Sequence, residues 1–169
     1  LNLLEKYPQV SQWMKTLLGA QEFLNGNDRC CLWLRNSSSS DRRELMKVNE
    51  IKLRVEQVKL IRESSNRSST RKLAETPWLF GEIRQPESGE YILVPSISSG
   101  RRQYVPMGFL KSDIISSNKN LLIPDATLYD FGLLTSQMHM DWMRTVVGRL
   151  KSDYQYSIKL VYNNFPWPE

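Results

Sequence analysis

The chain has 169 residues, of which 40% are hydrophobic and 24% charged, and its formal net charge is +5. That size and balance suit one globular domain with a sizeable core, or one domain with an appendage. No apolar run approaches the roughly 20 residues that span a bilayer, and the single histidine argues against a zinc site built from Cys and His ligands.

The start, Leu1-Asn2-Leu3-Leu4-Glu5-Lys6, has no basic flank ahead of an apolar core, so it is not a secretory signal. No initiator methionine precedes it, and a fragment of a longer protein is expected. Pro8 to Leu18 reads as a short helix: Pro8 suits a first turn, Val10, Trp13, Met14 and Leu17 share one face, and Gly19 suits the left-handed stop. Gln21–Leu24 and Arg29–Arg35 read as two strands around the turn Asn25-Gly26-Asn27-Asp28. Cys30, Leu32 and Leu34 alternate with Cys31, Trp33 and Arg35, which predicts a strand covered on both sides. Adjacent cysteines point to opposite faces of a strand and make a poor staple, so a reducing, cytoplasmic setting is expected.

Ser37-Ser38-Ser39-Ser40 is a polar break, with Ser40 or Asp41 placed to cap the next helix. Asp41–Glu63 has no Gly or Pro and predicts one long helix. Leu45, Val48, Ile51, Val55 and Val58 form one apolar stripe; Met46, Leu53 and Leu60 form a second. A helix apolar on two sides touches two things, either as a connector to another domain or as a helix buried within its own. Residues 29–72 carry twelve Lys or Arg against five Asp or Glu, and the remainder eleven against thirteen. A basic segment suggests an acidic partner, most commonly nucleic acid, although a solvated helix face explains the same charges. Asn66–Thr76 reads as a loop and short helix ended by Pro77; Arg62, Arg67, Arg71 and Lys72 could there follow a phosphate backbone.

From Trp78 the texture changes. Short runs at Phe80–Arg84, Tyr91–Val94, Gln103–Pro106, Asp113–Ser116, Leu121–Ile123 and Thr127–Phe131 alternate with turns such as Pro86-Glu87-Ser88-Gly89 and predict strands. Ser136 caps a helix to Val147, stopped by Gly148, and Tyr154–Tyr162 reads as a final strand. The expected fold is α+β, a curved and mainly antiparallel sheet with flanking helices and one long helix in the N-terminal half. Residues 1–76 form a helical and hairpin segment and 77–169 a β-rich core, together one domain.

Catalytic constellations are weak. Asn164-Phe165-Pro166-Trp167 imitates the (Asn/Asp)-Pro-Pro-aromatic element of base-amino methyltransferases, whose ring stacks on a flipped base. Its second position is Phe, so packing is the better reading. Glu50-Ile51-Lys52 matches half of a metal-dependent nuclease site but lies mid-helix, with Asp125 downstream in the wrong order. His139, between Met138 and Met140, reads as a buried, hydrogen-bonded side chain rather than a base for a Ser or Cys nucleophile. What remains is binding. Arg101 and Arg102 suit phosphates or guanine edges, with Ser98, Ser99, Gln103 and Tyr104 beside them. Lys111, Ser116, Ser117, Asn118, Lys119 and Asn120 form a second polar loop.

Three stretches carry a family likeness: Pro95-Ser96-Ile97-Ser98-Ser99-Gly100-Arg101-Arg102-Gln103-Tyr104-Val105-Pro106, Thr135-Ser136-Gln137-Met138-His139-Met140-Asp141-Trp142-Met143-Arg144, and Tyr162-Asn163-Asn164-Phe165-Pro166-Trp167-Pro168. Together they resemble the target recognition domain of MmeI-like type II restriction–modification enzymes, densest over Val94–Pro168 and looser over Leu3–Phe80. The resemblance implies a specificity module that reads double-stranded DNA for an adenine-N6 methyltransferase and endonuclease of the same parent chain. S-adenosylmethionine and Mg2+ would then be held by other parts of that parent. The alternative is a protein-interaction or scaffold module that uses helix 41–63.

Overall fold

The computed structural model describes residues 2–27 and 29–168, without the side chain of Asn2. Along the chain, helix α1 (Asn2–Lys6) precedes a 3-10 turn at Pro8–Trp13, strand β1 (Met14–Leu18), helix α2 (Ala20–Asn25) and strand β2 (Cys30–Leu32). Then come α3 (Ser39–Leu45), α4 (Asn49–Glu63) and α5 (Ser68–Lys72), followed by strands β3 (Glu90–Pro95), β4 (Ile97–Ser98), β5 (Gly108–Lys111), β6 (Ile115–Ser116) and β7 (Asn120–Pro124). Helices α6 (Leu128–Leu134) and α7 (Gln137–Val146), strands β8 (Arg149–Leu150) and β9 (Asp153–Gln155), and a wide helical turn at Ile158–Tyr162 complete it. The fold is α+β with antiparallel-rich sheets and flanking helices, as expected, its strands shared among small sheets.

Several elements differ from expectation, each for a local reason. The Pro8–Leu18 helix gives way after Trp13 because the next stretch of backbone finds ladder partners: Leu17 and Leu18 pair in parallel with Ile115 and Ser116. Gly19 is extended rather than left-handed, and its N–H donates to the Glu22 carboxylate at 2.8 Å. That contact starts a helix over the expected strand Gln21–Leu24, and Gly26, at φ +66°, ends it. Asp28 of the expected turn lies outside the described residues. The strand expected over Arg29–Arg35 keeps only Cys30–Leu32, and Cys30 is exposed, so its two sides are not both covered.

The cap falls at Ser38, two residues before Ser40, with Ser38 Oγ accepting from Asp41 N–H and the Asp41 carboxylate accepting in return. The helix expected over Asp41–Glu63 is broken at Met46–Val48, where Val48 turns extended and buries its side chain with Leu45 and Ile51. Phe80–Arg84 and Gln103–Pro106 form no strand: Phe80 packs at a tilt against Trp33, and Val105 N–H donates to Met140 Sδ at 3.3 Å. Thr127–Phe131 is helical because Thr127 and Asp130 exchange capping bonds. Tyr154–Tyr162 leaves the sheet after Gln155, where Ser157 Oγ accepts from Leu160 N–H and starts the helical turn.

The chain forms two compact units, Leu1–Lys15 with Cys30–Ile83, and Thr16–Arg29 with Arg84–Glu169. In the first, Val10, Leu34, Leu45, Val48 and Ile51 make a core against which Trp13, Met14 and Trp78 pack. Arg62 staples the end of α4 to the chain beyond α5, donating to the carbonyls of Leu73, Thr76 and Leu79 at 2.8–3.1 Å. In the second, β3 is the central strand between β5 and β7, both antiparallel, and Tyr91, Ile92, Leu93 and Val94 are fully buried on its two faces. Below it lie Leu134, Met140, Met143, Tyr156 and Val161. Strands β4, β9 and β8 form an antiparallel sheet in that order.

Candidate nucleic-acid interface

The arginine loop leaves β4 at Ser98, whose backbone pairs with Tyr154 and whose side chain is buried. Ser99 then makes a turn: its Oγ accepts from Arg101 N–H at 3.3 Å and its carbonyl from Arg102 N–H at 3.0 Å. This turn leaves Arg101 and Arg102 exposed. Gly100 is required by space, because a Cβ there would collide with the Ser152 carbonyl oxygen. Beyond the arginines, the loop is tied to α7. Tyr104 OH donates to Gln137 Oε1 at 3.2 Å, Gln137 Nε2 donates to Asp141 at 2.8 Å, and Arg144 donates both to Asp141 at 2.8 Å and to the Gln103 carbonyl.

The second loop is brought against the start of the first. Ser96 donates through its N–H and Oγ to the Lys119 carbonyl, at 3.2 and 2.6 Å. Arg84 supports it from below, reaching the Ser117 and Asn120 carbonyls at 3.3 and 3.2 Å. Asn118 and Lys119 are exposed, while Ser116 and Ser117 are half-buried, with Ser117 N–H donating to the Leu18 carbonyl at 2.9 Å. Asn120 is fully buried; its Nδ2 donates to the Leu18 carbonyl at 3.0 Å and ties β7 to β1. Lys111 pairs with Glu90 at one end of β3, whereas Asn120 pairs with Pro95 at the other. That is a separation of roughly 17 Å along the strand. The structure thus gathers Ser99, Arg101, Arg102, Asn118 and Lys119, gives Ser98 and Asn120 framework roles, and leaves Lys111 apart.

A third piece escaped the sequence reading. The β8–β9 hairpin borders the arginine loop through the β4–β9 pairing and the Gly100–Ser152 approach. Its Arg149 guanidinium stacks 4.3 Å from the Tyr154 ring centroid, donating to Tyr154 OH at 2.9 Å and to the Ser152 carbonyl at 3.3 Å. Lys151, at φ +58°, occupies the exposed turn. The signal was present in the sequence as two cations, Arg149 and Lys151, on either side of Leu150. With Arg101, Arg102 and Lys119, the surface offers guanidinium forks, that of Arg149 held in place, and ammonium groups in the mixture that suits a polyanion.

The remaining candidates have structural partners. His139 is fully buried, its Nε2 2.8 Å from Tyr156 OH and its ring edge-on to Phe165. Burial holds its imidazole at about 4 and pushes the Tyr156 phenol above its usual range. Glu50 forms an ion pair with Lys6 at 2.9 Å. In the Asn164–Trp167 stretch, Phe165 is buried against Trp142 and Trp167, and Asn164 Nδ2 donates to the Lys159 carbonyl at 2.8 Å. This is packing, as read from the sequence, though it comes after a helical turn and not a strand. A cavity of about 500 Å3 in the first unit is lined by Leu3, Leu32, Val55, Trp78 and Phe80, with Arg54 and Arg62 as its charged groups. S-adenosylmethionine carries a sulfonium and ribose hydroxyls that call for carboxylates, and this cationic lining does not fit it.

Comparison with known proteins gives three findings. A family model described as MmeI, target recognition domain, matches residues 1–169. A protein of Bacillus subtilis (strain 168) named DNA methyltransferase A is 44% identical over 167 residues, covering 98% of this chain and 18% of that protein. The solved structure of the type IIL restriction–modification enzyme MmeI in complex with DNA superposes with a TM-score of 0.92 at 40% identity, covering 99% of this chain and 22% of that one. The chain therefore spans about a fifth of the length of these two proteins.

Proposed function

The chain belongs to the MmeI target recognition domain family, and on that premise we propose that it reads duplex DNA for a bacterial, cytoplasmic restriction–modification enzyme. In this reading residues 1–76 and 77–169 act as one specificity domain of a longer chain. The parent is an adenine-N6 methyltransferase with endonuclease activity, whose other domains hold S-adenosylmethionine and Mg2+.

The observation that carries the proposal is the convergence of the arginine loop, the Asn118–Lys119 loop and the β8–β9 hairpin, three segments distant in sequence. Ser96–Lys119 and Gly100–Ser152 contacts join them. The division of labour comes from chemistry. Arg101, Arg102, Lys119 and Lys151 supply charge for phosphates or forks for guanine, while Asn118 offers an amide suited to adenine. Ser98, Gly100 and Asn120 hold the loops in place. Lys111, roughly 17 Å along β3 from Asn120, would meet a separate part of the duplex.

The test is fluorescence anisotropy with a labelled duplex, read as affinity against salt for the chain and for its parent. A log–log slope of several units is expected, each neutralised phosphate contributing about −0.9. Salt-independent binding, or none by either protein, would refute the proposal. Mapping modified adenines in cells that express the parent then gives the sequence read.

A further inference from the structure

Helix α4 is apolar on opposite sides, and among the described residues only one side is covered. Ile51 and Val55 face the core of the first unit, and Val58 and Arg62 line its cavity. At 100° per residue, Leu53, Gln57, Leu60 and Ile61 fall on the other side. There Leu53 is 48% exposed, Leu60 63% and Ile61 70%. Single exposed apolar residues are ordinary, but three on one helix face form a patch.

The border of the patch narrows what can cover it. Along one edge run the ion pairs Lys52–Glu56 and Lys59–Glu63, each at 3.8 Å, and toward the other lies Glu50, paired with Lys6. Each of those carboxylates is neutralised by a lysine, and the stripe between them offers aliphatic carbon where a phosphate needs a charge or a donor, so this face suits an apolar protein surface and not DNA. Three aliphatic side chains present at most a few hundred Å2, well below the ~800 Å2 per partner of a stable free-standing interface. A patch of that size holds a partner only when a tether keeps the partner at high local concentration. The matched relatives are about five times longer than this chain, which supplies such a tether.

We propose that Leu53, Leu60 and Ile61 form the surface on which an apolar face of the parent polypeptide's remaining part packs. This rests on the reading of the chain as one domain of a longer enzyme, and it assigns α4 the role of interdomain seat. Its occupant is protein, bound in cis.

Two measurements test it. Hydroxyl-radical footprinting compares oxidation of Leu60 and Ile61 in the 169-residue chain and in the parent; several-fold protection in the parent is expected. The triple variant Leu53→Gln, Leu60→Gln, Ile61→Gln should leave the unfolding midpoint of the chain alone unchanged and lower the midpoint of this domain's transition within the parent by about 2–4 °C. Equal oxidation in chain and parent, or an unmoved midpoint of that transition, overturns the proposal. So does self-association of the chain that the variant abolishes, or loss of DNA affinity by the isolated variant. Protection with no DNA binding would sink the DNA-reading proposal and leave this one standing; DNA binding without protection would do the reverse.

Discussion

Arg101 and Arg102 come after a turn whose geometry is set by Ser99 and Gly100, so backbone constraint displays both residues at the surface. Arg101→Ala therefore separates two roles. A phosphate contact predicts uniform weakening across duplexes and a salt slope smaller by about 1, and a base contact predicts about 1–3 kcal/mol lost on one sequence only. Titration against duplexes that differ at single positions decides between them. His139 gives a second prediction at this scale. Its folded value of about 4 lies below the ordinary 6.5 because burial disfavours the imidazolium. The unfolded chain takes up that proton as pH falls from 6.5 toward 4, and the folded chain does not. Stability is thus full above 6.5 and declines through that window. His139→Gln should flatten this part of a plot of thermal midpoint against pH while lowering the whole curve.

Helix α6 shows what an element owes to its first residue. Thr127 N–H and Oγ both donate to the Asp130 carboxylate at 2.7 Å, and Asp130 N–H donates back to Thr127 Oγ1 at 3.3 Å. Thr127→Ala should cost about 1 kcal/mol in urea unfolding. The Thr-x-x-Asp pattern was visible in the sequence, as was Ser38-x-x-Asp41, and at Thr127 it outweighs the β-propensity of Tyr129 and Phe131. The Met46–Val48 break was not visible, since no Gly, Pro or cap residue marks it; tertiary packing of Val48 with Leu45 and Ile51 imposes it. Likewise nothing local distinguishes Tyr154–Gln155 in the sheet from Ile158–Tyr162 outside it except the partner strand β4, which is distant in sequence. Ser136, by contrast, caps α7 where it was read to, because that signal is purely local.

At the scale of the molecule there are two cores, and they should respond separately. Ile51→Ala in the first and Met140→Ala in the second each remove a fully buried side chain and should cost about 2–5 kcal/mol. Only Met140 also accepts from the arginine loop, through Val105 N–H. Its loss should therefore weaken DNA affinity under conditions where both variants remain folded, whereas Ile51→Ala should not; calorimetry with anisotropy checks both. The arginine and Asn118–Lys119 loops were legible because their residue types announce an exposed polar surface. Asn120 was not separable from Asn118 by type, and only the register Pro95–Asn120 shows which amide points inward. The hairpin at Arg149–Gln155 was missed because its relevance comes from adjacency. That adjacency has a practical corollary for anyone recombining relatives: with no room for a methyl group between Gly100 and the Ser152 carbonyl, the two segments form one transplantable cassette, and a chimera that moves either without the other inherits a mismatched seam.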